Sequence, residues 1–434
     1  MRPAIVLFTR DLRVHDNPAL AAAAAEAERV LPLFVLDDAI IARFGAPNRL
    51  AFLGEALRDL GGSLGGLAVR RGDTVAETVR LARQLDAKAI FLAEDASSFA
   101  RRREQRLRAE LDVRTFPSTS VVDLDEVRTA GGRHYKVFTP FWRAWRAAKR
   151  RAPLEPARIR LPDGVDLGPP PDLGPGTSPA RPRGGETEGR KRLERFLAGA
   201  VARYEELADA LAADATSRLS ADLHFGCLSP LEVAERAAAA EAFVRQLCWR
   251  DFFLQLLEAR PETPREDLRE RRAAWRDDPE ALAAWKEGRT GYPIVDAGMR
   301  QLAEEGWMHN RARLIVGSFL TKTLGIDWRH GAAHFADLLV DGDLASNVGN
   351  WQWVAGTGAD PRPGRILNPL RQARRFDPDG DYVRRYVPEL GHIEGGAVHA
   401  PWELAVNHDY TARVVDHDKA AARFRAYRTS SASP

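Results

Sequence analysis

AIVLFTRDLRVHDNPALAAAAAEAERVLPLFVL, residues 4–36, decides the fold class. An apolar β-type run, AIVLF, gives way to an Ala-rich helix from Pro18, and a second apolar run, VLPLFVL, follows. Strand, helix and strand within some thirty residues form a βαβ unit, which needs a parallel sheet covered by helices. The alternation continues: a helix from Arg49, the run LAVRRG, a helix from Thr74, the run AIFLA and an Arg-rich helix from Phe99. Residues 1–128 are therefore expected to form an α/β domain, a parallel sheet with helices on both faces.

Beyond it the texture changes. A Pro/Gly-rich stretch, LPDGVDLGPPPDLGPGTSPARPRGG, lacks any sustained period, so 129–187 reads as an interdomain linker. From 188 to 434 the apolar spacing is helical, as in DAGMRQLAEEGWMHNRARLIVGSFLTKTL, and an all-α domain is expected. Tryptophan marks the same division: none occurs before residue 129, and eight of the ten fall between 249 and 402. The composition, 44% hydrophobic, is that of an ordinary globular chain. No apolar run is long enough to span a bilayer or to form a signal-peptide core, which makes the cytoplasm the default location. Cys227 and Cys248 lack metal or redox spacing, and no metal site is expected.

Several familiar motifs fail on context. GGSLG at 61–65 matches G-x-S-x-G but follows a helix and precedes a strand, and it reads as a turn. The phosphate-binding lysine of a P-loop is missing after it, and no G-x-G-x-x-G or H-E-x-x-H occurs. What remains is DGDLASNVGNWQW at 341–353, with carboxylates, amides and indoles packed together. Asp343 and Asn347 lie one helical turn apart, as Asn310 and Arg313 do in WMHNRARL. TSRLS at 216–220 offers three hydroxyls suited either to phosphate oxygens or to capping a helix. Arg362, Arg365, Arg371, Arg374 and Arg375 fall in a stretch free of Asp and Glu, the pattern of a solvated loop or of phosphate contacts.

In order along the chain, LFTRDLRVHDNPAL, TSRLS, LCWRDFF, TGYPIVDAGMRQL, GWMHNRARL, IDWR and DGDLASNVGNWQW resemble the photolyase/cryptochrome family, and within it the cyclobutane-pyrimidine-dimer photolyases. The resemblance covers nearly the whole chain. It implies FAD in the helical domain, active as reduced FADH−, and light-driven electron transfer into UV-damaged DNA by a monomer. It implies that Tyr204, Thr216, Ser217, Arg218, Leu219 and Ser220 hold the FAD phosphates and ribityl chain. Arg250, Asn310, Arg313, Asp341, Gly342 and Asp343 match positions around the cofactor, Arg313 and Asp343 being suited to an ion pair, and Asn347 matches the residue facing flavin N5. Trp351, Trp328 and Trp275 match a relay that re-reduces the flavin. Gln246, Trp249, Asn310, Leu314 and Trp353 match the lesion pocket, with Gln246 also bordering the cofactor, while Arg311, Arg365 and Arg375 match DNA contacts.

The departures concern the lesion. Gln246 stands where dimer-repairing members carry a glutamate, Leu314 where they carry a methionine, and PRPGRILNP replaces an aromatic-containing segment. Glutamine at that position resembles the (6-4) photolyases and animal cryptochromes. However, WMHNRARL lacks the histidine pair of the (6-4) enzymes and has Asn310 instead. Dimer repair is the first reading; (6-4) repair and blue-light signalling are the alternatives. A folate, a deazaflavin, a second flavin or no antenna at all remains open for the N-terminal domain.

Overall fold

The computed structural model describes residues 3–270, 275–404 and 409–430. Five strands, β1 (Ala4–Leu7), β2 (Val30–Leu36), β3 (Ala68–Arg71), β4 (Ile90–Ala93) and β5 (Val113–Phe116), form one parallel sheet in the order β3-β2-β1-β4-β5. The chain builds outward from β1 to β3, then returns to the other side of β1 for β4 and β5. Right-handed crossovers place the helices made before and after that reversal on opposite faces. Ile5, Leu7, Leu31, Leu33, Ile90 and Leu92 on one face meet Val75, Val79, Ala82 and Leu107 from Thr74–Leu85 and Ser98–Arg108. Asn17 starts the helix Pro18–Glu26: its side chain accepts from Leu20 N at 3.0 Å, and Pro18 supplies the preset first turn.

The structure corrects the sequence-based expectations at three places. β5 is an addition, because VRTF is short and only its first residue is buried. GGSLG is not a turn throughout: the helix Pro47–Leu64 runs through Gly61 to Leu64, and only Gly65, at φ 72°, reverses the chain. The third correction is to the boundaries. The chain divides into a first unit of 1–176, 182–205 and 217–261 and a second of 177–181, 206–216 and 262–434. The expected linker therefore belongs mostly to the first unit. It contains a helix, Phe138–Ala147, burying Phe138, Phe141, Trp142 and Trp145. Its irregular part is tied to the α/β layer by Val30 N donating to Arg160 O at 2.8 Å and Val69 N to Leu167 O at 3.0 Å. The helices Glu186–Ala198 and Glu241–Ala259 also belong to that unit, not to a helical domain beginning at 188.

Among its described residues the second unit contains helices and no strand. Its core gathers Trp285, Val295, Ala297, Leu302, Val316, Phe319, Trp328 and Trp351. Cys227 and Cys248 are free and buried in the first unit. No described helix is long and apolar enough to cross a membrane, and no described cluster of His, Cys, Asp or Glu is suited to a metal ion.

Candidate functional site

The string at 341–353 is a helix with its cap. Asp343 caps Leu344–Ala355, accepting from Ser346 N at 2.8 Å, so its carboxylate is held at the helix start. Arg313, on Asn310–Ser318, therefore takes the other carboxylate: its Nη2 donates to Asp341 Oδ2 at 2.8 Å and its Nε to Met308 O at 2.8 Å. The ion pair expected with Asp343 is made with Asp341. Asp341 Oδ1 is buried and has no hydrogen-bond partner. Around Gly342 the chain bends tightly, with Asp343 N donating to Asp341 O at 2.6 Å.

One turn into the helix, Asn347 donates through Nδ2 to Ala332 O at 3.0 Å, which fixes the amide and leaves Oδ1 as its free acceptor. The next turn sends three side chains in three directions, about 100° apart. Trp351 points inward, 3% exposed, edge-on to Phe335 at 5.0 Å and to Trp285 at 6.0 Å, with Nε1 unbonded. Gln352 is fully buried and binds the segment 263–268, accepting from Leu268 N at 2.8 Å and donating to Thr263 O and Glu266 O. Trp353 is only partly buried against the same core. Nothing in the sequence singles out Gln352 and Trp285, whose contacts set where Trp351 lies. Trp285 is fully buried and donates from Nε1 to Val316 O at 3.1 Å.

The segment held by Gln352 also carries Asp267, whose Oδ1 accepts from Trp328 Nε1 at 2.8 Å and from Arg329 Nη2 at 3.0 Å. Trp328 is fully buried, whereas Trp275 is only partly buried. A carboxylate on the indole N–H favours positive charge on that ring, which suits a ring that gives up an electron.

TSRLS is split between the units. Thr216 ends one segment of the second, and its Oγ1 is buried without a hydrogen-bond partner. In the first unit, Arg218 holds φ 52°, a left-handed backbone that costs a non-glycine residue about 1–2 kcal/mol. Leu219 is buried and Ser220 opens a short helix, Ser220–Phe225. Ser217 Oγ accepts from Leu219 N at 3.4 Å. Tyr204 lies edge-on to Phe196 and Phe243 at 5.9 and 5.3 Å. Arg250 donates to Thr119 O and to Leu223 O, contacts that position backbone around the site.

The residues matched to the lesion pocket lie in both units. In the first, Trp249 stacks on Phe138, centroids 3.7 Å apart and planes 2° apart, and Gln246 is exposed on the same helix. In the second, Asn310 is exposed and Leu314 half-buried on one helix. Arg362, Arg365, Arg371, Arg374 and Arg375 are all exposed, and none forms an ion pair among the described residues. Arg311 differs: it grips Asp209 through Nε and Nη2 and lies 4.3 Å over the Phe376 ring, so its charge is already matched. The loop before the arginine helix Pro369–Phe376 is pinned from beneath. Leu367 N donates to Ser318 Oγ at 3.1 Å, and the buried Lys322 donates to Arg365 O at 2.6 Å from a π-helical turn, Phe319–Leu324.

The buried unpaired Asp341 Oδ1 and Thr216 Oγ1, with the half-buried Asn347 whose Oδ1 is left as an acceptor, fit a large polar cofactor, because native proteins rarely leave buried polar atoms unsatisfied. Residues 243–429 match the family described as the FAD-binding domain of DNA photolyase, and residues 4–159 match the DNA photolyase family. A deoxyribodipyrimidine photo-lyase of Streptomyces griseus is 50% identical, the match covering 99% of each chain. A bacterial class III photolyase from Agrobacterium tumefaciens superposes with a TM-score of 0.91 at 36% identity, over 99% of this chain and 98% of that one. The Synechocystis cryptochrome superposes with a TM-score of 0.90 at 28% identity, over 98% of this chain and 99% of that one. With both domains matched and relatives aligned end to end, the chain belongs to the photolyase/cryptochrome family and carries its FAD-binding domain.

Proposed function

We propose that the protein is a light-driven DNA-repair lyase that splits cyclobutane pyrimidine dimers. The observation that carries this reading is the set of five exposed arginines with no carboxylate partner, on the loop and helix that follow Trp353. A flavoprotein that only passes electrons has no use for unmatched cations there. An enzyme that holds a phosphate backbone while an extruded base meets aromatic walls needs both. The name of the Streptomyces griseus relative supports the same reading.

Reduced FAD supplies the light-excited electron when bound. Thr216, Ser217 and Ser220 would offer hydroxyls to its phosphates, and the Arg313–Asp341 pair would offer fixed charges to its polar groups. Asn347, its donor held by Ala332 O, would offer the reduced ring a neutral acceptor without adding a second negative charge. Trp351, Trp328 and Trp275 would pass an electron inward to the bound cofactor in its oxidised form, and the Asp267 carboxylate on Trp328 Nε1 favours positive charge on that ring. The resemblance assigns Trp249 and Gln246 of the first unit, and Trp353 and Asn310 of the second, to the extruded dimer: indoles suit stacking on its bases, and amides suit hydrogen bonds to its carbonyls.

Gln246 favours a second reading, repair of (6-4) products or signalling without repair. The test of the first is to illuminate chemically reduced protein with a duplex bearing one dimer, alongside a dark control. Dimers should disappear only in the light, with both pyrimidines restored. Persistence of the dimer in the light would reject repair of this lesion.

A further inference from the structure

The arginines assigned to DNA so far lie in the second unit, but the first unit has a cationic surface of its own. Between Glu126 and Glu155 the chain carries eight Lys and Arg and no Asp or Glu. Four of the eight are matched: Arg128 with Asp125, Arg146 with Glu241, Arg150 with Glu235 and Arg151 with Asp16. Arg133, Lys136, Arg143 and Lys149 are exposed and form no ion pair among the described residues. Arg245, on the neighbouring helix Glu241–Ala259, is likewise exposed and unpaired, its guanidinium 5.4 Å from the Phe138 ring. Unmatched cations repel one another, so five of them on adjoining elements are stabilised by an external anion.

The aromatic residues of this region face the other way. Phe138, Phe141, Trp142 and Trp145 are buried, and within the stretch only the aliphatic Val137 and Leu154 are large hydrophobic residues left exposed. The surface thus lacks the apolar wedge that a membrane-binding helix inserts. It also has a mechanical link to the proposed reaction. Phe138 begins the basic helix and stacks flat on Trp249, 3.7 Å between centroids, while Gln246 lies one turn before Trp249 on the helix that bears Arg245. Lys136, Arg143, Lys149 and Arg245 thus lie on or beside the two helices that the Phe138–Trp249 stack joins.

We propose that this surface is a second DNA-backbone contact, gripping phosphates outside the damaged step and so positioning the duplex against the Trp249 wall. The proposal rests on the reading that the chain acts on DNA. Cations bound to phosphate position a duplex without reading its sequence, and each displaces condensed counterions. The surface should consequently bind damaged and undamaged duplex alike.

The test uses the FAD-loaded full-length protein and a triple variant, Lys136→Ala, Arg143→Ala and Lys149→Ala. Binding of one oligonucleotide duplex, with and without a single dimer, is followed by fluorescence anisotropy over a range of salt concentrations. The slope of log Kobs against log salt should become shallower by about 0.9 for every phosphate no longer neutralised, roughly 2–3 in all. Affinity should fall by the same factor for both duplexes, with flavin absorbance unchanged. Arg143→Lys should keep the wild-type slope. An unchanged slope in the triple variant, while Arg365→Ala lowers it, would overturn this proposal and leave the repair reading standing. So would anionic phospholipid vesicles outcompeting the undamaged duplex for the surface. Failure of the wild type to bind either duplex would instead overturn the repair reading, and this proposal with it.

Discussion

Asn347 and Trp351 sit one turn apart on the same helix, and their different surroundings give them different work. Asn347 spends its donor on Ala332 O and keeps an acceptor, while Trp351 is enclosed by rings and has no hydrogen bond at Nε1. Trp351→Phe keeps the packing but removes the easily oxidised indole. Photoreduction of oxidised FAD should be abolished, while dimer repair by chemically reduced protein should persist; normal photoreduction would remove Trp351 from the relay. Gln246 calls for a pH experiment. Its amide does not titrate, so repair yield should be flat from mildly acidic to alkaline pH. In Gln246→Glu a bound dimer would bury the new carboxyl and raise its pKa, so the protonated acid would donate below that pKa and the donor would vanish above it. Repair by this variant should therefore fall on the alkaline side. Identical pH profiles would mean that residue 246 does not touch the lesion. At this scale the residue types and spacings are legible in the sequence, but the choice of partners is not. Arg313 pairs with Asp341 because capping the helix occupies Asp343, and Arg311 turns to Asp209, a hundred residues away in sequence.

The elements place these side chains by close approach and by buried polar ties. Gly331, on Trp328–Leu338, lies against Trp351: a Cβ there would stand 2.2 Å from the ring's Cη2 and 2.5 Å from Cζ3. An indole between packed helices cannot step aside cheaply, so Gly331→Ala should lower stability by about 1–3 kcal/mol in denaturant titration and slow photoreduction. Unchanged stability would show that the two helices can separate at that point. In the first unit Asp251 joins three segments, accepting from Trp145 Nε1 and from Val121 N, both at 2.9 Å. Burial pushes its carboxyl up to about 6, against the opposing influence of Arg250 and these hydrogen bonds. The folded state thus holds a proton that the unfolded chain has released. This contribution to stability is full below the ordinary aspartate range and disappears as pH rises through about 6, by at most about 1.4 kcal/mol per pH unit. Asp251→Asn keeps an acceptor for both donors, so its melting temperature should gain on wild type as pH rises from about 4 to about 7. Parallel curves would mean that Asp251 is ionised throughout. The long strands and helices are legible from their apolar period. β5 is not, because only Val113 of its four residues is buried, and neither is the docking of 151–176, because backbone hydrogen bonds to Arg160 and Leu167 leave no mark in side-chain pattern.

For the molecule as a whole, net charge gives no hint of its partner. A value of +3 from 64 Lys and Arg against 61 Asp and Glu hides two clusters of unmatched cations, one in each unit. The arginines at 362–375 stand out in the sequence because they lie in one acid-free stretch. The surface around Lys136, Arg143 and Lys149 does not, because half the cations in its stretch are consumed by carboxylates mostly distant in sequence and Arg245 joins it from another helix. The division into α/β and helical parts is legible, whereas its boundary is not, since Glu186–Ala198 and Glu241–Ala259 group with the sheet through packing that no local pattern records. Fold, cofactor domain and cation placement converge on light-driven repair, with Gln246 as the residue that puts the lesion in question. The most direct measurement is to illuminate the reduced protein with equimolar duplexes carrying either a cyclobutane dimer or a (6-4) product and to count each lesion over time. The account predicts loss of the dimer with the (6-4) product untouched; loss of the (6-4) product alone, or of neither, would contradict it.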